Sequence, residues 1–132
     1  EQNNYTSNVE TETFPDGLDV EVFNFHDLKD AWDNACTTSD LEHVTPYIRN
    51  NRKIKKGSYI SKNNYSNYRW TVDEPRDLDF IKEIYSILGS QGQFFSSQEI
   101  YDLLANRPDL LKINTDIVRN EGYLKSLEQD KL

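Results

Sequence analysis

Arg69-Trp70-Thr71-Val72-Asp73-Glu74-Pro75-Arg76-Asp77-Leu78 reads as a short strand that ends on an acid and turns at once into a helix. Arg69 to Val72 carry aromatic and β-branched residues, which suit a pleated, half-buried surface. Pro75 fits the first helical position, where its missing N–H leaves nothing unsatisfied. Leu78, Ile81, Ile84, Tyr85 and Leu88 then recur at helical spacing. Asp73 is thereby placed at the carboxyl end of a strand, just before a helix N-terminus. In open α/β sheets ligands bind at that edge, and a carboxylate there can hold a hard cation such as Mg²⁺. Acids also gather at helix N-termini simply because they complement the helix dipole. The stretch by itself leaves both roles open.

Upstream, Glu1 to Thr13 is polar and expected to be loop-like. Phe14-Pro15-Asp16-Gly17 is a turn signal, with Pro fixing φ and Gly supplying a positive φ. Leu18 to Phe23 alternates with period two, placing Leu18, Val20 and Val22 on one face and Asp19, Glu21 and Phe23 on the other. An exposed sheet face and a polar ligand face explain those acids equally well. Phe25 to Cys36 is expected to be a helix capped by Asn24, with Leu28, Ala31, Trp32 and Ala35 as its apolar stripe and Trp32 as a core anchor. His26, near that helix's N-terminus, is expected at the surface. Ser39 to Glu42 has the spacing of a capping box, and Thr45 can cap a new turn that has Pro46 at its first position. His43 can bind a sugar hydroxyl or simply pack.

Arg49, Arg52, Lys53, Lys55 and Lys56 form a basic cluster in an acidic chain. It reads either as a solvated loop and protected edge strand or as a clamp for phosphate or carboxylate. Ile54 to Ile60 is a candidate strand, and Ser61 to Tyr68 a loop. Downstream of Leu88, Gly89-Ser90-Gln91-Gly92 breaks the helix, and Phe94 and Phe95 are expected to dock on the body. Ser96 or Ser97 caps a helix bearing Ile100, Leu103 and Leu104. Asn114 or Thr115 is expected to cap a final helix.

The chain has 132 residues, enough for one domain with a real core, and a net charge of -8. That charge disfavours backbone-driven nucleic-acid binding, which needs clustered Lys and Arg. Any anionic substrate needs local cations or a metal to overcome the field. Cys36 is the single cysteine, so neither an internal disulfide nor a cysteine zinc cluster can form, and a reducing cytoplasm is the expected location. No apolar run reaches membrane-spanning length. Gly-rich phosphate loops, HExxH and GxSxG are absent.

Four segments occur in one order: Phe14-Pro15-Asp16-Gly17-Leu18-Asp19-Val20-Glu21-Val22-Phe23; Glu42-His43-Val44-Thr45-Pro46-Tyr47-Ile48; Arg69-Trp70-Thr71-Val72-Asp73-Glu74-Pro75; and Arg119-Asn120-Glu121-Gly122-Tyr123-Leu124. Together they resemble the C-terminal half of the spore-coat polysaccharide biosynthesis cytidylyltransferases, which are similar to the acylneuraminate and ketodeoxyoctonate cytidylyltransferases. The resemblance implies an α/β chain, the C-terminal part of a Rossmann-like nucleotide-sugar transferase fold, mostly helical with about three short strands. It implies a catalytic-domain portion over 1–88 and a helical extension over 89–132. It further implies a transferase that joins a sugar or sugar acid to CMP from CTP, releasing pyrophosphate, for surface polysaccharide such as the spore coat. Such enzymes are often homodimers. Asp73 matches a Mg²⁺ ligand of the related sugar-acid enzymes, and Asp16, Glu21, Glu42, His43 and Arg69 take substrate-binding roles by the same analogy.

Two departures stand out. Glu74-Pro75-Arg76-Asp77 replaces the family's common Thr-Pro-Glu-Asp, giving a poorer cap and a cation that opposes the dipole. The family's N-terminal half, with its nucleotide loop and a second metal-binding Asp, has no counterpart in these residues, so this stretch alone is expected to be inactive. A non-catalytic dimerisation or scaffolding module with the same partial fold is the alternative expectation.

Overall fold

A computed structural model of the chain describes residues 2–89 and 94–132. Its elements run β1 Tyr5–Ser7, β2 Glu21–Phe23, α1 Phe25–Asn34, α2 Thr38–His43, α3 Pro46–Asn50, β3 Lys56–Ser58, α4 Pro75–Leu88, α5 Ser97–Asn106, a 3-10 turn Leu110–Ile113 and α6 Glu121–Gln129. Among the described residues the fold is therefore mixed α/β and mostly helical, with three short strands, as expected. No helix among them is long and apolar enough to cross a membrane. The contacts divide the chain into two compact units that interleave along the sequence. The first is Glu1–Thr13, Asp19–Lys62 and Arg119–Leu132; the second is Phe14–Leu18 and Asn63–Val118.

The first unit is built on the sheet β2-β1-β3, antiparallel on the β2 side and parallel on the β3 side. Its central strand, Tyr5–Ser7, lies in the segment expected to be a loop. Polar composition hid it, because one residue, Tyr5, carries its burial. Tyr5 is fully buried with Ala31 and Ile48, and Phe23, Tyr47 and Ile54 pack around them. The Tyr5 hydroxyl donates to Glu21 Oε2 at 2.5 Å. Burial first, and then Glu21, push the Tyr5 hydroxyl well above the ordinary tyrosine range. The facing of the β2 segment is the reverse of the simplest hydrophobic assignment: Val20 and Val22 are exposed, while Glu21 and Phe23 turn toward Tyr5. Trp32 is not a core anchor but 85% exposed, and only Ala31 of the α1 stripe is buried.

In the second unit Phe80, Ile84, Leu104 and Leu110 form the buried core, with Tyr68, Trp70, Ile81 and Leu88 among the residues packed on it. Helix α4 begins at Pro75 as expected, but its buried face is Asp77-Phe80-Ile84, whereas Leu78 and Tyr85 are exposed. Helix α5 has the anticipated Ser96 cap, reinforced by Glu99, which accepts from the Ser96 N–H at 2.8 Å. Phe95 docks on the core and Phe94 is exposed. The expected break at Gly89-Ser90-Gln91-Gly92 lies mostly outside the described residues.

The stretch Arg69–Val72 does not form a full strand. Arg69 makes an isolated parallel bridge with Asp16, and Trp70 N–H donates to Asp16 O at 2.7 Å. Its partner is the Pro15–Gly17 turn, too tight to extend a ladder. Gly17 holds φ +99°, and a Cβ there would lie 2.6 Å from Thr71 N. Both facts demand glycine. Gly17→Ala should therefore cost roughly 1–3 kcal/mol from strain alone, read as a lower urea midpoint; an unchanged midpoint would contradict this packing.

Candidate functional site

The second unit gathers Asp16, Asp73 and Asp77 around the Arg69 guanidinium. Arg69 Nε and Nη2 donate to Asp77 Oδ1 and Oδ2, each at 2.9 Å. Arg69 Nη1 donates to Asp16 Oδ2 at 2.9 Å, and Nη2 reaches Asp73 Oδ2 at 3.5 Å. Asp77, with no exposure, also accepts from the N–H groups of Asp73 and Glu74 at 3.1 and 2.9 Å and from Asn114 Nδ2 at 2.9 Å. Asn114 is thus a buried tie, whose Nδ2 also donates to Arg69 O at 3.0 Å, and not the cap of a final helix. Helix α6 starts instead after Asn120. Burial opposes charge on Asp77, but the hydrogen bonds from Arg69, Asn114, Glu74 and Asp73 outweigh it and hold the carboxyl far below the ordinary carboxylate range. The Asp77 bonds fix the loop at Asp73. The Asp73 side chain is 68% exposed, with Oδ2 accepting from Thr71 at 3.1 Å. At the same helix start, Arg76 is drawn to Asp116 in a two-pronged pair at 2.8 and 3.1 Å.

The first unit holds a polar cleft of about 300 Å³ lined by Glu12, Asp19, Glu21, His43, Arg49 and Tyr123, among others. Glu21 reaches it from β2, His43 from the end of α2, Arg49 from α3 and Tyr123 from α6. The expected capping box does not form: α2 is capped by the Thr37 side chain, which accepts from Asp40 N–H. Glu42 is left to accept from Ser126 Oγ at 2.5 Å, and Ser126 Oγ lies 3.1 Å from His43 Nε2. Thr45 occupies the expected cap of α3, yet its hydroxyl donates to Glu21 Oε1 at 3.1 Å. Between His43 and Thr45, Val44 holds φ 65°. For a β-branched residue this is a genuine outlier, with strain of about 1–3 kcal/mol.

Arg49 is the cluster cation that enters the cleft. Its guanidinium lies 5.3 Å from the Tyr123 ring centre and makes no ion pair among the described residues. Arg119 is committed to Asp19 at 2.8 Å. Glu21, Glu42 and His43 are singled out through the family resemblance, and the basic run through its charge. Tyr123 lies in the last of the four segments but is given no role there, and nothing points to Ser126. Asp77, three residues after Glu74, carried a signal as a helix-start acid.

The described residues gather no group of three His, Cys, Asp or Glu side chains able to hold a metal. Asp73 offers an exposed carboxylate whose Oδ1 makes no hydrogen bond among the described residues. That suits Mg²⁺ of the kind that keeps waters and binds through one or two carboxylates plus substrate phosphates.

No family model matches the chain. It is 32% identical over 118 residues, 87% of its length, to an uncharacterized protein of Methanocaldococcus jannaschii, and it covers 47% of that protein. Its fold is similar to that of a cytidylyltransferase from Leptospira borgpetersenii serovar Hardjo-bovis, with a TM-score of 0.75 and 24% identity, over 88% of this chain and 48% of that one. The six helices and three-stranded sheet match the C-terminal part of that fold. The chain spans about half the length of these relatives.

The depressed Asp77 carboxyl has a pH signature. Its stabilisation is complete above about pH 4, where aspartate ionises in the unfolded chain, and is lost as pH falls below that value. Asp77→Asn should cost about 3–5 kcal/mol near neutrality, because it leaves Arg69 under-paired. The gap between variant and wild type in urea unfolding should narrow as the pH is lowered from about 4. A gap independent of pH would contradict this account.

Proposed function

We propose that this chain is the sugar-side portion of a nucleotidyltransferase that activates a sugar or sugar acid with CTP, yielding a CMP-sugar and pyrophosphate for surface polysaccharide. The single observation that carries the reading is the cleft of the first unit, on a chain with this fold. Carboxylates and an imidazole suit sugar hydroxyls, and its volume lies at the lower end of small-molecule sites. Arg49, stacked on Tyr123 and with no acidic partner among the described residues, is a ready contact for a substrate carboxylate in an otherwise acidic chain.

In the reaction, the sugar oxygen forms a bond to the α-phosphorus of CTP, the bond to the pyrophosphate leaving group breaks, and the proton of the sugar hydroxyl passes to solvent. The cleft residues bind and orient the sugar, which is the main work of catalysis in phosphoryl chemistry. Arg69 and Asp77 hold Asp73 in place, and Asp73 would be one ligand of Mg²⁺. When bound, that ion offsets charge on the phosphates. The exposed Cys36 thiol supports a reducing, cytoplasmic setting. The assembly in this reading is a homodimer. The exposed apolar side of α1, where Phe25 and Trp32 border an open groove of about 490 Å³, supports association.

Pyrophosphate release by the native-length protein, with CTP, Mg²⁺ and a panel of sugar acids and amino sugars, tests the reading. Asp73→Ala should abolish turnover and leave the fold intact, since the side chain is exposed. Arg49→Ala should raise KM for sugar acids by roughly tenfold or more, with a smaller effect on amino sugars. No release with any sugar would overturn the proposal.

A further inference from the structure

Ser126 is buried on α6 and its Oγ has three polar neighbours: Glu42 Oε2 at 2.5 Å, His43 Nε2 at 3.1 Å and Gly122 O at 3.1 Å. A serine hydroxyl has one proton. An ionised Glu42 and the Gly122 carbonyl are acceptors only. Were the proton given to His43, the short Ser126–Glu42 approach would press two unshared oxygens together. The proton therefore lies toward Glu42, and His43 Nε2 must carry the hydrogen that completes its own contact with Ser126. The imidazole nitrogen that remains is Nδ1, which makes no hydrogen bond among the described residues. An edge contact with Tyr123, at 5.2 Å between ring centres, holds the ring plane independently. His43 lines the cleft, so its ring offers that site an acceptor.

We propose that Ser126 and Glu42 are positioning residues that fix His43 as the Nε2–H tautomer, so that Nδ1 accepts a hydrogen bond from a sugar hydroxyl in the cleft. Nδ1 then discriminates by polarity, since it takes a hydroxyl or amine hydrogen and repels a carbonyl oxygen. The ligand's identity as a sugar rests on the proposed function; the tautomer does not.

Nitrogen-15 NMR of the histidine-labelled chain, above the pH at which imidazole protonates, reads the tautomer directly. The chain has two histidines, and the exposed His26 side chain serves as the reference. His43 should show a protonated Nε2 and an acceptor Nδ1 with no averaging, while His26 shows a mixture. Ser126→Ala should turn His43 into a mixture like His26. Glu42→Ala, at an exposed position, should move it the same way by less, because Gly122 O remains as an acceptor. Glucuronate and glucosamine, titrated as probes, should shift the wild-type Nδ1 resonance, and that response should be lost in Ser126→Ala. An averaged wild-type His43, a protonated Nδ1, or no Nδ1 response to either probe would overturn the proposal. An Nδ1 response without CTP turnover by the native-length protein would overturn the nucleotidyltransferase reading alone.

Discussion

The buried pair of Arg69 and Asp77 sets the terms for the second unit. A guanidinium and a carboxylate removed from water are stable together only if their remaining hydrogen-bonding capacity is met. Here it is met: Asp77 takes five donors, two from Arg69, two from the Asp73 and Glu74 backbone, and one from Asn114. Arg69 reaches across to Asp16, which pins the Pro15–Gly17 turn against the 69–71 backbone. One ion pair thus joins a turn, a loop and the start of a helix. Asp73 is the member left facing solvent, and its exposure and local rigidity are what a ligand carboxylate needs.

The first unit uses a different device. Thr45, which lines its cleft, and Glu42, next to the lining His43, are both taken away from helix capping. Thr45 turns its hydroxyl to Glu21 rather than to its own helix, and Glu42 turns to Ser126. The backbone between them is bent at Val44 into a region that valine avoids. Local rules are broken where the polar residues converge, and departures of that kind are expected where a site imposes its own geometry. The likeness to half of a cytidylyltransferase, together with this cleft, underlies the proposed role.

Much of the architecture is legible in the sequence. Pro75 and Ser96 mark their helix starts because capping is local chemistry, and the Pro15–Gly17 turn follows from residues that permit only a few conformations. Strand β1 was not legible, since Tyr5 alone carries its burial in a polar run. Trp32 misleads because helical periodicity shows which residues share a face without showing whether that face is covered. For the cleft, Glu21 and His43 were readable as polar residues in suggestive places. Ser126 and Tyr123 were not, because their roles exist only once α6 packs on α2 and α3. Asp77 stands in the sequence as an acid in the first turn of a helix, and nothing local disclosed that Arg69 and Asn114 would close over it.

The central claim is that Arg69 and Asp77 act as one unit. A double-mutant cycle with Arg69→Gln and Asp77→Asn, followed by urea unfolding near neutral pH, measures this directly. The expected result is that the second substitution adds little once the first is made, so that the coupling is close to the cost of a single substitution, about 3–5 kcal/mol. Additive effects would show that the two side chains contribute independently and would contradict it.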